Sequence, residues 1–154
     1  MRRFRANGNG WDALHTDGET TYLRILNGNK FEWTTNKWAA RDSAKKYYPN
    51  SEGIQFHENK LYFLAKEIHR LFILDLKNKT YKMEYTGKKF YGEGSFSSQP
   101  DQNYFGPTRK FMYYTEDGGS TCGVYGRYED GTYFTLFQAK WGAYDESMKL
   151  SELL

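Results

Sequence analysis

One pattern, present twice, constrains this chain more than anything else in it. Between residues 50 and 86, four short runs rich in aromatic and branched side chains (54–56, 60–65, 70–76 and 80–85) are joined by links of three or four residues. Links that short join antiparallel neighbours, so the four runs read as a meander. Residues 99 to 138 repeat the arrangement, with runs at 103–105, 110–115, 123–128 and 132–137. Leu61 corresponds to Met112, Leu71 to Val124 and Tyr81 to Tyr133, at offsets of 51, 53 and 52 residues. A four-strand unit recurring at roughly 40 to 50 residues is the signature of a β-propeller blade.

The rest of the chain is read around those copies. Asn27-Gly28 between two alternating runs predicts a hairpin over 21–35, the outer half of a preceding blade. Residues 37–48 hold helix formers with spaced apolar positions and stop before Pro49, which predicts one short helix. The expected fold is therefore all-β, a partial β-propeller of about two and a half four-stranded antiparallel blades with that helix. Residues 21–138 form the blades (21–35, 50–86 and 99–138), flanked by an irregular N-terminal segment, 1–20, and an irregular tail, 139–154. A closed propeller needs about four to eight blades, so further blades or another protein chain are expected to cover the open sheet edges.

Composition bounds the partners. Aromatics are 19% of the chain, with 14 Tyr and 11 Phe, and such side chains suit half-buried pleated surfaces. The net charge of +3 is spread along the sequence, whereas a nucleic-acid surface gathers its cations, so no nucleic acid is expected. No apolar run approaches the roughly 20 residues of a membrane-spanning helix. Met1-Arg-Arg-Phe-Arg5 is followed by Asn7-Gly-Asn-Gly10 and not by an apolar segment, so a soluble chain without a signal peptide is expected. The single Cys122 excludes an intrachain disulfide and a multi-cysteine zinc site.

The candidate chemistry is acidic. A polar turn carrying Asp101 leads into an aromatic strand that ends on Glu116-Asp117 and then Gly118-Gly119, and Glu52-Gly53 repeats the grammar one copy earlier. Such carboxylates are hard oxygen donors of the kind calcium or magnesium takes. They are equally the ordinary currency of turns, where Asp and Glu beside Gly bond local amides. Gly92-Glu-Gly94 and Gly118-Gly119 lack the Gly-Lys-Ser/Thr of a phosphate loop. His15, His57 and His69 share no metal spacing, and Cys122 has no nearby His to make it a catalytic thiol. Asn78-Lys79-Thr80 matches a glycosylation sequon but sits where a tight turn wants asparagine. Tyr113-Tyr114 could stack a base or a sugar, though strand alternation turns most such tyrosines into packing.

Several segments together resemble the PhoX-type alkaline phosphatase-like propellers over roughly residues 20 to 138. They are Tyr22-Leu-Arg-Ile-Leu-Asn-Gly-Asn-Lys-Phe-Glu-Trp33, Tyr47-Tyr-Pro-Asn-Ser-Glu-Gly53 with Arg70-Leu-Phe-Ile-Leu-Asp-Leu76, and Gln99-Pro-Asp-Gln102 with Tyr114-Thr-Glu-Asp-Gly118. Glu52-Gly53 and Pro100-Asp101 resemble, more distantly, the gluconolactonase and senescence-marker propellers. The resemblance implies a central divalent-metal site, with calcium as the cofactor and Glu52, Asp101, Glu116 and Asp117 as matching ligands. It implies no catalytic residue that can be matched here. Two functions follow as expectations: a binding or assembly subunit docking through open blade edges and aromatic surface, or a divalent-metal-dependent phosphoester hydrolase-like module.

Overall fold

A computed structural model describes residues 1–87, 90–92, 99–117 and 122–138. The strands are β1 (Arg2–Ala6), β2 (Gly18–Leu26), β3 (Lys30–Thr34), β4 (Ser51–His57), β5 (Lys60–Ala65), β6 (Arg70–Asp75) and β7 (Thr80–Tyr85), and α1 (Lys37–Tyr47) lies between β3 and β4. They continue with β8 (Phe90–Tyr91), β9 (Gln99–Phe105), β10 (Met112–Asp117), β11 (Gly123–Arg127) and β12 (Tyr133–Gln138). The fold is mostly β with one α-helix among the described residues.

Both expected meanders are present. Strands β4 to β7 pair in sequence, as do β9 to β12, all antiparallel. The hairpin differs from a separate half-blade: β3 joins β7, giving one seven-stranded sheet ordered β1-β2-β3-β7-β6-β5-β4. The join is narrow. Phe31 donates its amide to the Lys79 carbonyl at 3.1 Å, and Tyr81 donates to Asn29 at 2.8 Å. The sheet then curls, so that Leu23, Ile25 and Phe31 close over Phe63, Phe72, Leu74 and Tyr81.

Helix α1 seals that first core. Asn36 caps it by accepting from the Ala39 amide at 3.0 Å. Ser43 accepts the Ile25 amide at 2.8 Å, and Tyr48, just past the helix, donates to the Leu23 carbonyl at 2.7 Å. Burial pushes the Tyr48 phenol up to about 12. The second core lies between the sheets, where Tyr62, Leu64, Leu71 and Ile73 meet Met112, Tyr114 and Tyr133. Strands β5 and β6 thus bury both faces, and their sequences are continuous apolar runs rather than alternating ones.

Part of the 1–20 segment, expected to be irregular, is strand. β1 pairs with the start of β2, with Phe4 opposite Thr20. Arg3 donates to the Thr21 hydroxyl at 3.1 Å and lays its guanidinium over Trp33 at 4.8 Å. Four of the five β1 residues are exposed, so the strand has no buried alternation to read. Its three arginines also blunt the outer edge of the sheet against strand addition. The opposite edge, β4, is covered by the chain itself where β9 packs against it.

Candidate functional site

Two polar clusters lie where the sheets meet. The first contains half of the acidic lip. Lys66 opens a short 3₁₀ turn, Lys66–Ile68, as the chain leaves β5, and donates its amide to the Asn50 carbonyl at 3.0 Å. Its ammonium reaches across to the other sheet, 3.4 Å from Asp101 Oδ1, and donates also to Asp117 Oδ2. Burial pulls the Lys66 pKa down, but the hydrogen bond it donates to Asp117 and the charges of both aspartates outweigh it and raise the pKa. The amine stays protonated at neutral pH and has no lone pair for nucleophilic chemistry.

The other two lip residues stand apart. A register shift between Tyr114 and Glu116 turns the end of β10. Glu116 is buried and accepts from the Tyr125 hydroxyl at 3.1 Å, while Gln138 donates to that same hydroxyl at 3.0 Å. Glu52 lies opposite Leu64 in the β4–β5 ladder and joins no ion pair among the described residues. Of Glu52, Asp101, Glu116 and Asp117, then, only Asp101 and Asp117 converge, and they do so on a lysine. Among the described residues no three His, Cys, Asp or Glu side chains stand close enough to hold a metal. Glu93, Gly94, Gly118 and Gly119 lie outside the described residues.

The glycine of Ser51-Glu52-Gly53 has a packing reason. Its φ is +32°, and a Cβ there would stand 2.5 Å from Asn103 Oδ1 and 2.7 Å from the Asn103 amide nitrogen. Only glycine lets β4 and β9 approach this closely. The asparagine of the sequon is likewise a turn former, its side chain donating to Asp75 at 2.8 Å.

The second cluster floors a cleft of about 250 Å³. Arg127, only 6% exposed, forks onto Glu84, with Nε to Oε2 at 2.8 Å and Nη2 to Oε1 at 2.7 Å. Its Nη1 donates to the Tyr128 carbonyl at 2.9 Å, which fixes the plane of the guanidinium. Lys82 joins Glu84 at 3.0 Å. Burial raises the Glu84 pKa, but the bonds and charge of Arg127, with Lys82, outweigh it and hold the carboxyl below its ordinary range. Lys60, Arg109 and Lys110 also line the cleft, and none of the three stands in an ion pair among the described residues. Tyr62, Ile73, Phe105 and Met112 supply apolar wall. His57 packs over Phe105 with centroids 4.6 Å apart, and Tyr62 meets the same ring edge-on at 5.0 Å. Five Lys or Arg line the cleft against Glu58, Glu129 and the Glu84 that holds two of them, a surplus of two positive charges.

Sequence reasoning did not find this cleft. Glu84 and Arg127 are 43 residues apart, and Lys66 and Asp117 are 51 apart, so no local spacing marks either pair. Two lining residues, Glu58 at φ 48° and Arg109 at φ 55°, hold a left-handed backbone, as several turn residues elsewhere in the chain do. No protein-family model, curated protein or solved structure matches this chain. No described helix is long and apolar enough to cross a membrane.

Proposed function

We propose that this chain is a non-catalytic binding module that takes an anionic ligand in the cleft between its sheets. The carrying observation is the surplus of cations. Lys82 and Arg127 are committed to Glu84 and Lys60 faces Asp75 across the β5–β6 ladder, while Arg109 and Lys110 are left to meet a charge from outside. Binding through open sheet edges is less well supported, since β1 is armed with arginine and β4 is covered by β9. The propeller reading has one support of its own. Leu61 and Tyr81 pack on the first core, whereas their counterparts Met112 and Tyr133 pack on the opposite face of the first meander. Equivalent faces of the two meanders thus point the same way, as in successive blades.

The test is a thermal melt of the whole chain with increasing inorganic phosphate or citrate at constant ionic strength. Binding to the folded state alone raises the midpoint with ligand concentration. An unchanged midpoint in the parent, or an equal rise in an Arg109→Gln/Lys110→Gln variant, counts against the cleft.

A second reading, the PhoX-like metal-dependent phosphoester hydrolase, is favoured by the convergence of Asp101 and Asp117. Calcium would have to displace the Lys66 ammonium, which already supplies the cation those carboxylates need. Calcium-dependent stabilisation of the parent together with hydrolysis of an aryl phosphate would support it. Neither effect is expected.

A further inference from the structure

We propose that the ligand of the cleft is a small aromatic acid, one planar ring bearing one oxyanion group. This rests on the anion-binding reading above and goes further by assigning the ring. The cleft has two chemically different sides. Ile73 and Met112 lie behind the cleft in the core between the sheets, and the apolar surface open to a ligand is the half-buried Phe105 ring with His57 packed over it. A bare inorganic ion would leave the open part of Phe105 and His57 against water, whereas a ring covers it and gains the edge or offset contacts aromatic pairs prefer.

The polar side is preorganised. Arg127 is held at three points by Glu84 and the Tyr128 carbonyl, so the floor is rigid and answered from within the chain, and an oxyanion is met at the rim. Arg109 and Lys110 are exposed and can close on an oxyanion there. Arg109 holds its left-handed backbone in the turn that follows Gly106, where its amide donates to the Gly106 carbonyl at 2.8 Å.

Size and sign limit the ligand from the other direction. About 250 Å³ holds a ring and its acid group, less than the roughly 300–1,000 Å³ of sites for larger organic ligands. Glu58 and Glu129 line the same cleft and repel a long polyanion, so a strand of nucleic acid is disfavoured.

Calorimetric titration of the full chain with benzoate, phenyl phosphate, benzyl alcohol and inorganic phosphate tests this. Benzoate or phenyl phosphate is expected to bind about tenfold or more tighter than either benzyl alcohol or inorganic phosphate, and the ratio between the two acids separates a monoanionic from a dianionic head group. An Arg109→Gln/Lys110→Gln variant, both positions exposed, should keep its melting midpoint and bind the preferred acid at least about tenfold more weakly. Phosphate binding as tightly as the aromatic acids would overturn the ring while leaving the anion site standing. No binding by any probe would overturn both. Binding that the variant retains in full would place the ligand elsewhere and overturn the proposal.

Discussion

The Lys66 cluster and the Arg127 cleft are built from the same materials and come out as opposites. Each buries a cation at the meeting of the two sheets and holds it with carboxylate oxygens. At Lys66 one ammonium faces two aspartates, so the cation is fully answered from within the chain. At Arg127 a single Glu84 serves both the guanidinium and Lys82, and Arg109 and Lys110 line the same cleft outside any ion pair among the described residues. What separates the two clusters is charge count, not residue type.

Exposure sets a second difference, and it ranks the expected effects of breaking each cluster. Glu84 and Arg127 side chains are 21% and 7% exposed, so Arg127→Ala leaves a carboxylate that water reaches poorly. That variant should lose about 3–5 kcal/mol in urea denaturation, and a double Arg127→Met/Glu84→Leu variant should recover most of it. At the other cluster Asp101 and Asp117 are 28% and 49% exposed and can rehydrate. Lys66→Met should therefore cost less, about 1–3 kcal/mol by the same measurement. Equal losses at the two positions would break the comparison.

Acid sharpens it further. The Glu84 carboxyl titrates below its ordinary range in the fold, with burial opposing and Arg127 prevailing, so the unfolded chain takes up this proton first as pH falls. The stability that Glu84 contributes is present above the ordinary glutamate range and is lost as pH drops through that range toward the folded value. Melting midpoints of the parent should fall on acidification from about pH 5 to pH 3, more steeply than those of Glu84→Gln. Parallel curves would mean the pair contributes little to the fold. The smallest effect is at the rim: Arg109→Gly relieves a left-handed backbone and should gain up to about 1 kcal/mol while weakening anion binding. A variant that gains stability and keeps its affinity would remove Arg109 from the site.

Much of the secondary structure was legible because it is local. Asn27-Gly28 between alternating runs marks β2–β3, helix formers that stop before Pro49 mark α1, and short links betray both meanders. β1 was not legible, since an edge strand exposed on both faces shows no period. Asp101 and Asp117 were visible as carboxylates beside turns, but nothing in their neighbourhood points to a lysine 35 and 51 residues away.

By itself, then, the sequence determined the hairpin, the helix and the two-fold repetition of a meander, all of which depend on hydrogen bonding and side-chain alternation over a few residues, but not β1 or β8. The tertiary structure alone decided that the hairpin curls onto the first meander's sheet, that β9 covers the β4 edge through Gly53, and which charges meet. An ion pair costs the chain nothing to write in distant segments, and its partner is fixed only when packing of Tyr62, Leu64, Leu71 and Ile73 on Met112, Tyr114 and Tyr133 sets the two sheets face to face.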